Sequence, residues 1–112
     1  MRIAQEEISG PAATVTRWRD VDEVIKMAND VDYGLAAGIM TDNLENALST
    51  ANKLQAGSVW INQYFNFQSG APFGGFKNSG VGREYSKEAL DNYTQSKTIV
   101  VAYNMPPAGL YK

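Results

Sequence analysis

Residues 36–62 read AAGIMTDNLENALSTANKLQAGSVWIN. The run at 36–40 is short and apolar, and a polar break follows at Thr41 and Asp42. Leu44, Ala47, Leu48, Ala51 and Leu54 then recur at helical spacing over three turns. Gly57 is a stop signal, and 58–62 turns β-prone again with Val59, Trp60 and Ile61 in succession. The pattern predicts strand, helix, strand, with Thr41 or Asp42 as the helix cap. Strands joined by such a crossover lie parallel, with a right-handed connection. The fold class expected is α/β: a mostly parallel sheet with packed helices, three-layered where complete.

Working toward the N-terminus, Asp20 with Glu23 three residues on has the form of a capping box. Val21, Val24, Ile25 and Ala28 make one apolar stripe, which predicts a helix of about ten residues. Residues 29–34 supply its stop. Residues 12–18, rich in Thr and Val after Gly10-Pro11, predict a strand. Toward the C-terminus, Ser86 caps a predicted third helix through residue 95, with Ala89, Leu90 and Tyr93 facing inward. The segment 97–103, KTIVVAY, is the most β-prone in the chain. Pro106-Pro107 predicts an extended tail beyond Asn104. There is no internal repeat and no linker.

A chain of 112 residues is expected to be a single domain, 1–112. Such a chain buries roughly two-thirds of its unfolded surface, enough for one modest core. Ten basic and twelve acidic residues are dispersed along it, a pattern that argues against nucleic-acid binding and a polybasic membrane patch. No apolar run is long enough for a membrane span, and no apolar leader opens the sequence, so the expected location is cytoplasmic. The absence of Cys and His excludes disulfides, thiolate nucleophiles, zinc–thiolate sites and imidazole bases, and no metal site is expected. Acid–base work falls to Asp, Glu, Lys or Tyr.

The stretch from Trp60 to Glu84 holds six of the twelve aromatics (Trp60, Tyr64, Phe65, Phe67, Phe73, Phe76) and five of the ten glycines. A long loop without periodicity is functional or disordered, and this aromatic content argues against disorder. It is no P-loop, since no Gly-Lys-Ser/Thr closes it. It is no dinucleotide fingerprint either, because Gly80-x-Gly82 is followed by Tyr85 rather than glycine. The glycines are read as sites of positive φ and close backbone approach. Phe65, Phe67, Phe73 and Phe76 are read as core or, from their lack of periodicity and setting among glycines, equally as pocket wall. Glu7 beside Ile8 is a general acid or base, or a solvated carboxylate. Tyr64 donates a proton or packs. Lys77 is an amine nucleophile only if buried, and an exposed lysine otherwise. Arg83-Glu84 orients a substrate carboxylate or, the favoured reading, is a structural pair anchoring the loop to the third helix.

Three blocks, Gln5-Glu6-Glu7-Ile8-Ser9-Gly10-Pro11, Gly57-Ser58-Val59-Trp60-Ile61-Asn62 and the run from Pro72 to Glu84 (PFGGFKNSGVGRE), resemble the C-terminal part of the aldehyde dehydrogenase superfamily in order and spacing. The resemblance covers the chain from Arg2 to about Tyr103. It implies that these residues form a truncated part of a longer fold. The cofactor domain, the catalytic Cys and the general-base Glu of that fold are missing from them. It also implies roles. Glu7 matches a glutamate that binds the nicotinamide ribose, so here it is a vestigial cofactor contact. Ser9 stands where the family pattern has Phe, and Ala12 where it has Val. Gln63, Phe67 and Phe73 match positions lining a substrate tunnel, and 97–103 matches a strand of subunit assembly. Asn62 is expected to hold the loop through backbone bonds.

The candidate site is then substrate contact by Ser9, Trp60, Asn62, Gln63, Phe65, Phe67 and Phe73, with Glu7 and Tyr64 as candidate catalytic groups. Relatives of full length use NAD or NADP, and no cofactor is expected for this chain alone. Without a thiolate, autonomous aldehyde oxidation is excluded. The expected function is a repurposed aromatic pocket acting without redox cofactor on a small, largely apolar metabolite, by isomerisation, cyclisation, dehydration or hydrolysis. The alternatives are an inert piece of an NAD(P)-dependent aldehyde dehydrogenase, or a non-catalytic binding or assembly module. Open strand edges invite pairing, so a homo-oligomer through 97–103, whose one charge is Lys97, is expected.

Overall fold

The computed structural model describes residues 1–104, 106 and 109. The elements run α1 (Val21–Asn29), β1 (Tyr33–Gly34), β2 (Ala36–Ile39), α2 (Leu44–Lys53), β3 (Ser58–Ile61) and β4 (Phe76–Lys77), with 3₁₀ turns at Arg2–Ala4 and Lys87–Asn92. The strand–helix–strand unit forms as its pattern predicts. β2 and β3 pair in parallel, from Ala36 opposite Ser58 to Ile39 opposite Ile61, with α2 as the connection. β1 and β4 make a separate antiparallel pair, Tyr33 opposite Lys77 and Gly34 opposite Phe76.

Local chemistry sets the helix starts. Asp20 Oδ1 accepts from the Glu23 N–H at 2.8 Å, as a capping box requires. The reciprocal bond falls one residue early: Glu23 Oε2 accepts from the Arg19 N–H at 2.7 Å. The cap of α2 is neither Thr41 nor Asp42 but Asn43, whose Oδ1 accepts from the Asn46 N–H at 2.9 Å. Thr41 acts one step earlier, its Oγ1 accepting from the Asn43 N–H at 3.1 Å.

Three other expectations are corrected. Residues 12–18 and 97–103 join no ladder, because no strand among the described residues lies beside them to accept one. The predicted helix from Ser86 is a 3₁₀ turn, Lys87–Asn92, with Leu90 and Tyr93 exposed rather than inward. None of the described residues covers its apolar side, and a helix that short is not stable without such cover. The expected extended tail falls mostly outside the described residues.

The core is small. Among the described hydrophobic residues only Ile25, Ala47 and Trp60 are buried. The apolar faces of α1, β2 and α2 meet Trp18 around an open groove of about 410 Å³, lined by Val24, Ile25, Ile39, Met40 and Leu54. These are the facing sides of a core that the described residues do not close. No helix among the described residues is long and apolar enough to cross a membrane.

Segment 74–79 is fastened to this unit at several points. A Cβ on Gly57 would overlap the Gly74 carbonyl oxygen, so the two backbones touch where no other residue fits. Lys77 Nζ donates to the Asn29 and Val31 carbonyls at 2.7 and 2.9 Å, taking the open carbonyl end of α1. Its ammonium is therefore a structural clamp. Ser79 Oγ accepts from the Gly34 N–H at 2.9 Å. Asn29 ties α1 to the end of α2, its Nδ2 donating to the Lys53 carbonyl at 2.9 Å and its Oδ1 accepting from the Gln55 N–H at 2.8 Å.

Candidate functional site: an aromatic groove

Trp60, the third residue of β3, anchors the aromatic loop. Its ring lies edge-on to Tyr64 at 5.3 Å and to Phe67 at 5.7 Å. Its Nε1–H donates to the Asn66 carbonyl at 2.8 Å, which satisfies the one polar atom of a buried ring. Phe67 is the hub. It meets Phe65 at 4.7 Å and 74°, and Phe73 at 4.7 Å and 83°. Such perpendicular packing is the preferred geometry of ring quadrupoles.

The backbone bends sharply to place these rings. Asn62 and Phe65 sit at φ 55° and 61°, a region costly for side chains other than glycine. The far end of the loop is pinned by paired backbone bonds between Phe73 and Glu84, at 3.0 and 2.8 Å. Arg83 Nη1 donates to the Gly82 and Gly75 carbonyls at 2.7 and 3.2 Å, and Asn92 Nδ2 donates to the Arg83 carbonyl at 3.1 Å. Arg83 and Glu84 thus anchor the loop to itself and to the 3₁₀ turn, mainly through main-chain atoms.

A groove of about 330 Å³ opens along this cluster, lined by Ser58, Trp60, Gln63, Asn66, Phe67 and Phe73 among others. It differs from the groove over α1 and α2 in carrying polar groups among its rings. Apolar walls with a few convergent polar groups are the usual make-up of a small-molecule site. Gln63 Oε1 accepts from Asn66 Nδ2 at 2.9 Å, which orients the Gln63 amide.

Of the residues expected at the site, Trp60, Gln63, Phe67 and Phe73 line this groove. Phe65 packs on Trp60 and Phe67 without lining it, and Tyr64 rests on Trp60 with its ring against the backbone of Gly38. Asn62 acts elsewhere than expected. Its Oδ1 accepts from the Thr41 N–H at 2.9 Å and its N–H donates to the Ile39 carbonyl at 2.8 Å, so it holds the β2–α2 connection rather than the loop. Glu7 and Ser9 are exposed on an N-terminal arm and do not line the groove. That arm is bonded to itself and to the end of α1, through Thr14 Oγ1 to the Ile3 carbonyl at 3.1 Å and Gln5 Nε2 to the Asp30 carbonyl at 3.4 Å. Next to Glu7, the Arg2 guanidinium pairs with Glu6 at 2.8 Å and holds that carboxyl below its usual range. Two contributors were not anticipated. Tyr85 stacks on Phe67 at 5.1 Å and 10°, and Asn66 supplies the carbonyl for Trp60. Tyr85 lies three residues after Gly82, directly after the PFGGFKNSGVGRE block, and that position is its one sequence signal.

The described residues do not fit a nicotinamide dinucleotide. Glu7 and Ser9 stand in the open, and Gly80 and Gly82, at φ 108° and 86°, lead into a 3₁₀ turn rather than a helix N-terminus that would meet phosphate.

Comparison with known proteins places these features. The model of the aldehyde dehydrogenase family matches residues 1–99. An aldehyde dehydrogenase of Emericella nidulans is 54% identical over 99 residues, 88% of this chain and 20% of that protein. Among solved structures, indole-3-acetaldehyde dehydrogenase of P. syringae, solved with NAD+, is 55% identical with a TM-score of 0.81, over 85% of this chain and 19% of that one. Betaine aldehyde dehydrogenase of Staphylococcus aureus in its apo form is 42% identical with a TM-score of 0.91, over 100% of this chain and 22% of that one. The chain therefore spans about one fifth of the length of the relatives it matches.

Proposed function

This chain belongs to the aldehyde dehydrogenase family, and on that premise we propose that its aromatic groove holds the apolar end of a small aldehyde-class metabolite. The observation that carries the reading is the set of near-perpendicular rings of Trp60, Phe67 and Phe73 around a groove that also presents the Gln63 amide. The rings supply dispersion and apolar burial, and an amide N–H of Gln63 is placed to donate to a carbonyl oxygen. The similarity to an enzyme named for indole-3-acetaldehyde, an aldehyde with a planar apolar group, supports this choice of ligand. In this reading the NAD(P)-dependent oxidation of such an aldehyde is the work of a larger assembly. The 112 residues hold no cysteine, so its thiolate and its dinucleotide site come from protein outside them. The 97–103 segment serves assembly with a second copy.

The test is saturation-transfer NMR with benzyl alcohol, an unreactive analogue that forms no imine with lysine. The chain is expected to transfer saturation to the aryl protons. Phe67→Ala should weaken binding roughly 3- to 10-fold, the worth of one aromatic pair. No transfer with the unaltered chain, or equal binding by Phe67→Ala, contradicts the reading.

A second reading is conversion of the held molecule without redox cofactor, by isomerisation, cyclisation, dehydration or hydrolysis, with Tyr64 beside the groove as the proton donor and Glu7, on the separate N-terminal arm, taking no part. Its basis is the Tyr64 ring, which rests edge-on against Trp60 at 5.3 Å beside the groove. Incubation with benzaldehyde and phenylacetaldehyde, followed by mass-balanced product analysis, separates holding from conversion. Tyr64→Phe lowers product formation at least tenfold if this phenol is the acid. An unchanged rate removes Tyr64 from the mechanism.

A further inference from the structure

Tyr85 combines two features that pull against each other. Its backbone sits at φ 60°, where a bulky side chain is strained and glycine is not. Its ring nevertheless lies flat on Phe67, 5.1 Å away at 10°, and edge-on to Phe73 at 6.3 Å and 74°. The strained conformation is held from both sides. The Tyr85 carbonyl accepts from the Gly70 N–H at 2.7 Å, and the preceding residue, Glu84, is doubly bonded to Phe73. Tyr85 itself does not line the groove. Strain retained by its surroundings beside a binding surface points to a functional constraint.

We propose that Tyr85 is a positioning residue that fixes the Phe67 ring and so makes the groove select planar aryl ligands over flexible chains. By covering one face of Phe67, Tyr85 holds that ring perpendicular to Phe73, at 83°. A corner of two perpendicular rings offers a flat ligand one face to stack on and one edge to meet. An alkyl chain gains from neither orientation and pays rotor entropy on ordering. The substrate class this implies is a small aldehyde bearing an aryl group. The inference rests on the groove being the ligand site proposed above.

The experiment compares dissociation constants of benzyl alcohol and 1-hexanol by NMR titration of the 112-residue chain and two variants, Tyr85→Gly and Tyr85→Phe. The unaltered chain should prefer the aryl probe by about fivefold. Tyr85→Gly should bring the ratio to about one, and Tyr85→Phe, which restores the stacked ring, should keep it. A merely structural role for Tyr85 would weaken both probes equally and leave the ratio unchanged, and that result overturns the inference while leaving the site reading intact. Proton shifts of Phe67 in the ligand-free chain report independently. They should move in Tyr85→Gly and stay in Tyr85→Phe, and unmoved shifts in Tyr85→Gly overturn the inference whatever the probes do. If neither probe binds the unaltered chain, the site reading falls and the selectivity falls with it.

Discussion

Gly57→Ala detaches the aromatic loop from the parallel strand pair and costs about 3 kcal/mol. Gly57 lies where the end of the α2–β3 connection crosses the loop at Gly74, and a Cβ there would overlap the Gly74 carbonyl oxygen. Neither backbone is free to retreat. The Gly57 N–H donates to the Gly34 carbonyl at 3.0 Å, and a Cβ on Gly74 would in turn meet the Gly82 carbonyl oxygen at 2.5 Å and Arg83 at 2.7 Å. The methyl is met by backbone rather than by a flexible side chain, so the strain spreads instead of relaxing. Urea unfolding followed by tryptophan emission measures the effect. Two other glycines serve as controls. Gly10→Ala meets nothing within 4 Å and should be neutral, while Gly70→Ala, at φ 91° with open space around it, should cost about 1 kcal/mol for backbone conformation alone. A loss below about 0.5 kcal/mol for Gly57→Ala would mean that the crossing is not as tight as described.

Val100→Asp shifts the chain from associated to monomeric. Ile99, Val100, Val101 and Tyr103 are 76%, 86%, 78% and 84% exposed, and the segment that carries them joins no ladder. An unpaired β-prone segment is a template for a second chain, and a two-fold pairing satisfies both copies at once. Burying one valine side chain is worth about 1.5–3 kcal/mol, so a charge at position 100 should raise the dissociation constant at least tenfold. Sedimentation equilibrium over a range of concentrations reads this directly. A unaltered chain that stays a monodisperse monomer at high concentration contradicts the prediction.

The parts of the fold that read correctly from sequence are those whose stabilisation is local. Asp20 and α1, and the apolar spacing from Leu44 to Leu54, declare themselves through side chains three and four residues apart. The parallel pairing of β2 with β3 follows from chain direction once a helix joins them. What failed depends on partners distant in sequence. Residues 12–18 have strand composition, but a ladder needs a second strand, and none among the described residues is beside them. Leu90 and Tyr93 have helical spacing but no cover among the described residues. The β1–β4 pair, two residues long and held by Lys77 and Ser79 side chains, carries no period that could be read.

The site divides the same way. Trp60, Phe67 and Phe73 announced a shared surface by their density among glycines, and their rings do meet. Asn62 lies next to them in sequence, yet its amide turns back to Thr41, because φ 55° at this residue reverses the chain. Glu7 and Ser9 are some fifty residues away, on an arm that, among the described residues, bonds to itself and to the end of α1 rather than to the loop. Tyr85 was missed because its importance lies in a stacking geometry that only the folded loop creates.

The two tryptophans allow the central claim to be tested within one spectrum, since Trp60 belongs to the aromatic groove and Trp18 to the open apolar groove over α1 and α2. Benzyl alcohol is titrated while the two indole N–H resonances are followed. A saturable shift of the Trp60 resonance with Trp18 unmoved is the predicted result. A shift confined to Trp18, or none at either ring, would contradict the account.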